Sequence, residues 1–142
     1  AGLFFAWEVS VIVGLKKVSN RSFVEVMWHI NRRIQNPAFL TVFMGCALLL
    51  PLCTYWNFDP EDSASYWLLA SALCYLLGVM AVTIFGNVPL NNQLDRTDPE
   101  NADESTLLKA RQAYERPWNR FNRIRTIFAI LSLVCLLVAI LA

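Results

Sequence analysis

Four long apolar stretches divide this chain, and of its 12 Lys and Arg and 11 Asp and Glu side chains only Glu8 lies well inside one of them. A water-soluble domain spreads charge along its whole length, because every element shows one face to water. Here hydrophobic residues reach 56% and charged residues only 16%, against roughly 45–50% and about 25% in soluble domains. So much apolar surface exceeds what a fold of this size can cover, and lipid is the solvent the pattern predicts. The net charge of +1, without a basic stripe, excludes a nucleic-acid partner.

The runs 38–55, 66–85 and 124–142 each have the roughly 18–20 residues that a helix rising about 1.5 Å per residue needs to cross ~30 Å of hydrocarbon. The first run, 1–15, is shorter, contains Glu8 and does not open on Met, so it reads as a truncated span whose upstream residues precede Ala1. The expected fold is an all-α bundle of four transmembrane helices in a single membrane domain, residues 1–142. Lys and Arg number 5, 0 and 7 in the three connections, the last counting Arg125 at the start of the fourth run. By the positive-inside rule, residues 16–36 and 86–123 are then cytoplasmic and both termini lie outside, in a bacterial inner membrane. Tyr55, Trp56, Tyr66 and Trp67 flank the outer connection as an aromatic belt.

On the inner side, Phe23, Val26, Met27, Ile30 and Ile34 recur at helical spacing, which predicts a short amphipathic helix from Ser22 to Gln35 along the membrane surface. Asn31 sits at the margin of its apolar face and is placed to point into the bundle. Asn36 and Pro37 fit a cap and first residue of the second span. After the third span, Gly86 permits a turn and Pro89 forces Val88 into an extended conformation, so the helix should break there. A mobile polar run, 96–104, comes next within a polar inner loop. Ser105 should cap a short helix reaching about Glu115, and Pro117 should start the long helix that becomes the fourth span. Trp118, Asn122 and Arg125 share one face of that helix.

The segment Asn-Val-Pro-Leu-Asn-Asn-Gln-Leu-Asp at 87–95, with Trp-Asn-Arg-Phe-Asn-Arg-Ile-Arg at 118–125, resembles the paired signature of the DUF1772, or anthrone oxygenase-like, membrane family. Gly-Leu-Phe-Phe-Ala at 2–6 and Ile-Asn-Arg-Arg-Ile-Gln-Asn-Pro-Ala-Phe at 30–39 are similar to it too. The motif positions are Asn31, Asn87, Pro89, Asn91, Trp118, Asn122 and Arg125. The resemblance implies oxidation of a planar, acidic polyketide such as an anthrone to the quinone by O2, with no bound cofactor. Such chemistry needs a base for the ring proton, an apolar slot for the ring system and donors for the enolate oxygen. Asn31, Asn87, Asn91, Asn122 and Arg125 are donors of that kind, and Trp118 offers a stacking face.

Two side chains compete for the base. Lys16, taken as the inner interface, puts Glu8 about 12 Å deep at about 1.5 Å per residue, and acids at such depth face a cavity or the bundle interior. His29, the only histidine, falls toward the solvated side of the inner helix. Against catalysis stands a structural reading. Glu8 can simply bond a neighbouring helix, the amides and Arg125 can fasten the backbone around Gly86–Pro89, Arg125 can snorkel to lipid phosphate, and Trp118 can serve as an interfacial anchor. Cys46, Cys53, Cys74 and Cys135 lie within spans and read as buried thiols, with no Cys-x-x-Cys pair. One histidine and scattered acids make no metal or haem site. Gly45 and Gly78 read as small helix-packing contacts. The competing function is therefore a non-catalytic accessory subunit of a larger membrane complex, or a lipid-binding protein. Its partners would be the bilayer and other membrane subunits or further copies of the chain.

Overall fold

The computed structural model describes residues 1–142, all in helices and short connections. There are five helices in chain order: α1 (Gly2–Leu15), α2 (Asn20–Arg33), α3 (Pro37–Trp56), α4 (Ser63–Asp95) and α5 (Glu104–Leu141). Helices α3, α4 and α5 are long and apolar enough to cross a membrane, and α1 is apolar but shorter. Only 27 of 142 residues are buried. Val42, Leu48, Phe85 and Ile140 stand on the outside, as side chains do when the surrounding medium is hydrocarbon.

Helices α4 and α5 form the central pair. Lipid supplies no hydrophobic drive for two spans to associate, so close backbone approach and hydrogen bonds must do so. Both are present. A Cβ on Gly78 would lie 2.0 Å from the Phe128 ring, and one on Gly86 would lie 2.9 Å from that of Phe121. Ser71 and Ser132 each donate to the other's carbonyl, at 2.8 and 2.9 Å. Helix α3 docks on α4 through Tyr75, whose hydroxyl donates to the Phe43 carbonyl at 2.9 Å. Gly45, expected at a helix contact, has open space where its Cβ would be. Asn36 caps α3 through the Phe39 amide, with Pro37 as first residue, as expected.

Two expected breaks are absent. Val88 keeps right-handed helical backbone, φ −62° and ψ −45°, and α4 runs on through Gly86 and Pro89 to Asp95. The widened turns just before it, Cys74–Ala81 and Thr83–Asn87, bond i→i+5. The missing N–H of Pro89 therefore falls in the first turn of the next α-helical segment, where proline is tolerated. Gly86 serves close approach to Phe121 rather than a turn. Helix α5 likewise passes unbroken through Pro117, and its cap is Asp103, not Ser105. Pro117 lines an open groove, and Ala113, whose carbonyl it leaves without its helical partner, is exposed. The lost hydrogen bond is therefore not buried.

Helix α2 is amphipathic, as expected, but turned. Phe23, Val24, Met27 and Asn31 are buried while Val26 is exposed, because α2 packs in the notch between the ends of α4 and α5 instead of lying flat on lipid. With Ile12, Leu94, Leu107, Tyr114 and Trp118, the side chains of Phe23, Val24 and Met27 form a core at this end of the bundle. Two arginines clamp it. Arg111 donates to the carbonyls of Leu15, Lys16 and Val18 at the end of α1, where carbonyls lack their full helical partners. Arg21 donates to those of Pro99, Glu100 and Ala102. The polar run 96–104 is therefore tied to α2, contrary to its expected mobility.

Candidate functional site

The polar side chains of the spans gather at the arginine-rich end of the bundle, and two irregular turns deliver them. An i→i+5 turn adds a residue to the helix and re-aims the side chains beyond it, at a cost in hydrogen-bond geometry, and is frequent at functional sites. One such turn in α1 is Trp7–Val11 and carries Trp7 and Glu8. Another in α4 is Thr83–Asn87, bounded by the two residues that face α5.

Asn122 is the hub of the first cluster. It is 1% exposed, donates to Glu8 Oε2 at 3.2 Å and accepts from Arg125 Nη2 at 3.0 Å. Arg125 also donates to Thr83 Oγ1 at 3.3 Å. No carboxylate touches the Arg125 guanidinium. The rings of Phe4 and Trp118, at 4.7 and 5.5 Å, face its charge instead. Glu8 Oε1 accepts from Arg123 at 3.0 Å, so both carboxylate oxygens act as acceptors.

This places Glu8 differently from expectation. It stands level with Asn122 and Arg123, and Arg123 is exposed. Glu8 is thus at the margin of the apolar part of α5 and not in mid-span. Lys16 does not mark the interface, because its carbonyl is held by Arg111, which lies beyond that margin on the polar half of α5.

The second cluster is a chain of directed hydrogen bonds. Asn31 donates to the Tyr114 hydroxyl at 3.3 Å, Tyr114 donates to Asn91 Oδ1 at 2.9 Å, and Trp118 Nε1 donates to the same oxygen at 2.9 Å. Asn87 adds to this cluster by donating to the Trp118 carbonyl at 3.5 Å, and the Arg125 guanidinium over the Trp118 ring joins the two clusters. The Trp118 ring packs between Trp7 and Tyr114, each centroid 6.0 Å away. Three polar atoms here are buried without partners: Trp7 Nε1, Asn87 Oδ1 and Arg125 Nε. Unpaired buried polar atoms are costly and call for an explanation. A cavity of about 10 Å³ lies between Trp7, Phe23, Met27, Tyr114 and Trp118, room for about one water.

Asn31, Asn87, Asn91, Trp118, Asn122, Arg125 and Glu8 are thus brought together, whereas His29 is exposed on α2 and packs edge-on against Trp28. Tyr114, Trp7 and Thr83 were not among the residues singled out from sequence. Tyr114 lies four residues before Trp118 and extends the 118, 122, 125 stripe; Thr83 bears the same relation to Asn87. Trp7 and Arg123 have no such signal. No three His, Cys, Asp or Glu side chains come together as metal ligands. The arrangement offers a carboxylate acceptor, a charged donor with a free N–H, and an indole face.

Neither curated proteins nor solved structures gave a match to this chain. Residues 25–135 match the family described as anthrone oxygenase, a stretch that takes in most of α2, all of α3 and α4 and most of α5, with every motif position from Asn31 to Arg125. The chain belongs to the anthrone oxygenase family.

Proposed function

We propose that this membrane protein oxidises a planar, acidic aromatic ketone of the anthrone type with O2 at the arginine-rich end of the bundle, on the cytoplasmic side of a bacterial inner membrane with both termini outside. Glu8 takes the ring proton. Arg125, Asn87 and Asn122 bond the enolate oxygen, stabilising the charge that develops, and the ring stacks on Trp118. The carbanion reduces O2 and combines with it to a hydroperoxide at the ring carbon. Loss of water then leaves the second quinone carbonyl, so that one ketone and one O2 become one quinone and one water. The observation that carries this reading is the pair of widened turns, Trp7–Val11 and Thr83–Asn87, beside which Glu8 and Arg125 share Asn122 and Arg125, its Nε unpaired, faces the Trp118 ring. The 10 Å³ cavity requires α2, held by short connections, to part from Trp118 when substrate binds.

The test is purified protein in nanodiscs with an anthrone under air, monitoring quinone absorbance above the spontaneous rate. Glu8→Gln keeps the shape and removes the base, and should lower the rate by about 10²–10⁴-fold. Loss in His29→Ala with full activity in Glu8→Gln would transfer the role of base to His29. A wild-type rate equal to background would overturn the oxygenase reading.

One observation favours a second reading. Most motif side chains bond one another rather than an open space, as expected of groups that fasten helix ends. A non-catalytic subunit of a larger membrane complex, or of a homo-oligomer, would then be the function. It predicts background activity together with loss of stability in Asn122→Ala.

A further inference from the structure

Helix α5 carries five arginines from Arg111 to Arg125 of two kinds, three paired or buried and two free. Arg111 pairs with Glu115 and Arg123 with Glu8, and Arg125 is buried in the site. Arg116 and Arg120 are exposed, make no ion pair and no hydrogen bond, and lie four residues apart on one face. Together with Pro117, Phe121 and Ile124 they line an open groove of about 500 Å³. Its wall is fixed from behind, because the Phe121 ring sits on Gly86 with no room for a Cβ between them. The groove marks the change from the polar half of α5 to its apolar half, and it leads onto the exposed side chains of Ile127 and Leu131.

We infer that Arg116 and Arg120 hold the phosphate of an anionic phospholipid whose acyl chain lies along Phe121, Ile124 and Ile127. Two uncompensated guanidiniums in fork geometry match phosphate oxygens. The apolar continuation selects a lipid over free phosphate, since an inorganic anion gains nothing from Phe121 or Ile127. The position at the hydrocarbon margin is where a phosphodiester sits in a bilayer. This site is separate from the Trp118 cluster and does not depend on the oxygenase reading.

The experiment is native mass spectrometry of the full chain released from nanodiscs containing phosphatidylglycerol or phosphatidylcholine, with thermal unfolding recorded for each variant. Phosphatidylglycerol should stay bound in preference to phosphatidylcholine. Arg116→Gln with Arg120→Gln should weaken retention about 30-fold, from about 1 kcal/mol for each basic group near the surface. Replacing both by Lys should restore part of the binding, because the charge remains and only the fork is lost. Arg96→Gln with Lys109→Gln removes the same charge elsewhere and should leave retention near wild type. Equal retention of the two lipids, an equal loss in the Arg96 and Lys109 control, or displacement of phosphatidylglycerol by millimolar inorganic phosphate would each overturn the assignment.

Discussion

Asn122→Ala tests how the arginine-rich end is held. The substitution removes the donor to Glu8 and the acceptor for Arg125 Nη2. Glu8 loses little, since it keeps the exposed Arg123. Arg125 is 7% exposed and is left with Thr83 and two ring faces. In water-soluble proteins a hydrogen bond to a charged group contributes about 1.5–3 kcal/mol, which would put the loss at ~3–6 kcal/mol for two. Between membrane helices the average is about 0.6 kcal/mol, which would put it near 1. The Glu8 bond at 3.2 Å is long, which favours the lower figure. The buried charge raises it, and about 2 kcal/mol is expected. Unfolding by SDS titration in mixed micelles, read by tryptophan fluorescence, measures it. The loss depends on the Arg125 charge, so Asn122→Ala in an Arg125→Met background should cost only about half as much, a coupling of ~1 kcal/mol. Additivity within ~0.3 kcal/mol would refute that dependence.

Gly78→Val places a Cβ 2.0 Å from Phe128 and should destabilise the α4–α5 pair by about 1–3 kcal/mol as overpacking, with partial rescue by Phe128→Ala; absence of rescue would place the clash elsewhere. Asp103 caps α5 by accepting from the Thr106 amide at 3.0 Å and the Ser105 hydroxyl at 2.9 Å. The hydrogen bonds from Thr106, then Ser105, hold its carboxyl below the ordinary range. A depressed folded value contributes stability that is complete above the unfolded value, about 3.9, and is lost as pH falls through the lower folded one. Protection of the Thr106 amide, measured as its exchange relative to the intrinsic rate at each pH, should therefore fall below about pH 4 and lose that pH dependence in Asp103→Asn; the same profile in both proteins would remove Asp103 as the cause.

The membrane fold was legible from charge placement alone, because hydrocarbon excludes charge and requires every backbone group to be bonded within its own helix. The run 38–55 became α3 with both ends close to those expected, the runs 66–85 and 124–142 became parts of the longer α4 and α5, and the stripe of Trp118, Asn122 and Arg125 came from helical geometry. Asn31 pointed inward for the same reason. The expectations that failed share a cause. Pro89 and Pro117 are local signals to stop a helix, but tertiary surroundings absorb them: widened turns before one, an open groove beside the other. The depth of Glu8 was measured from Lys16 along α1, whereas its level is set by the partner helix that supplies Asn122 and Arg123. Tyr114 and Trp7 became parts of the site only when α1 and α2 folded onto α5, across 83 residues between Asn31 and Tyr114. What the residues determine by themselves is the solvent and the helices, since both depend on composition and local periodicity. Which polar group meets which was decided only by packing between helices, because that depends on crossing and register, quantities no single segment contains.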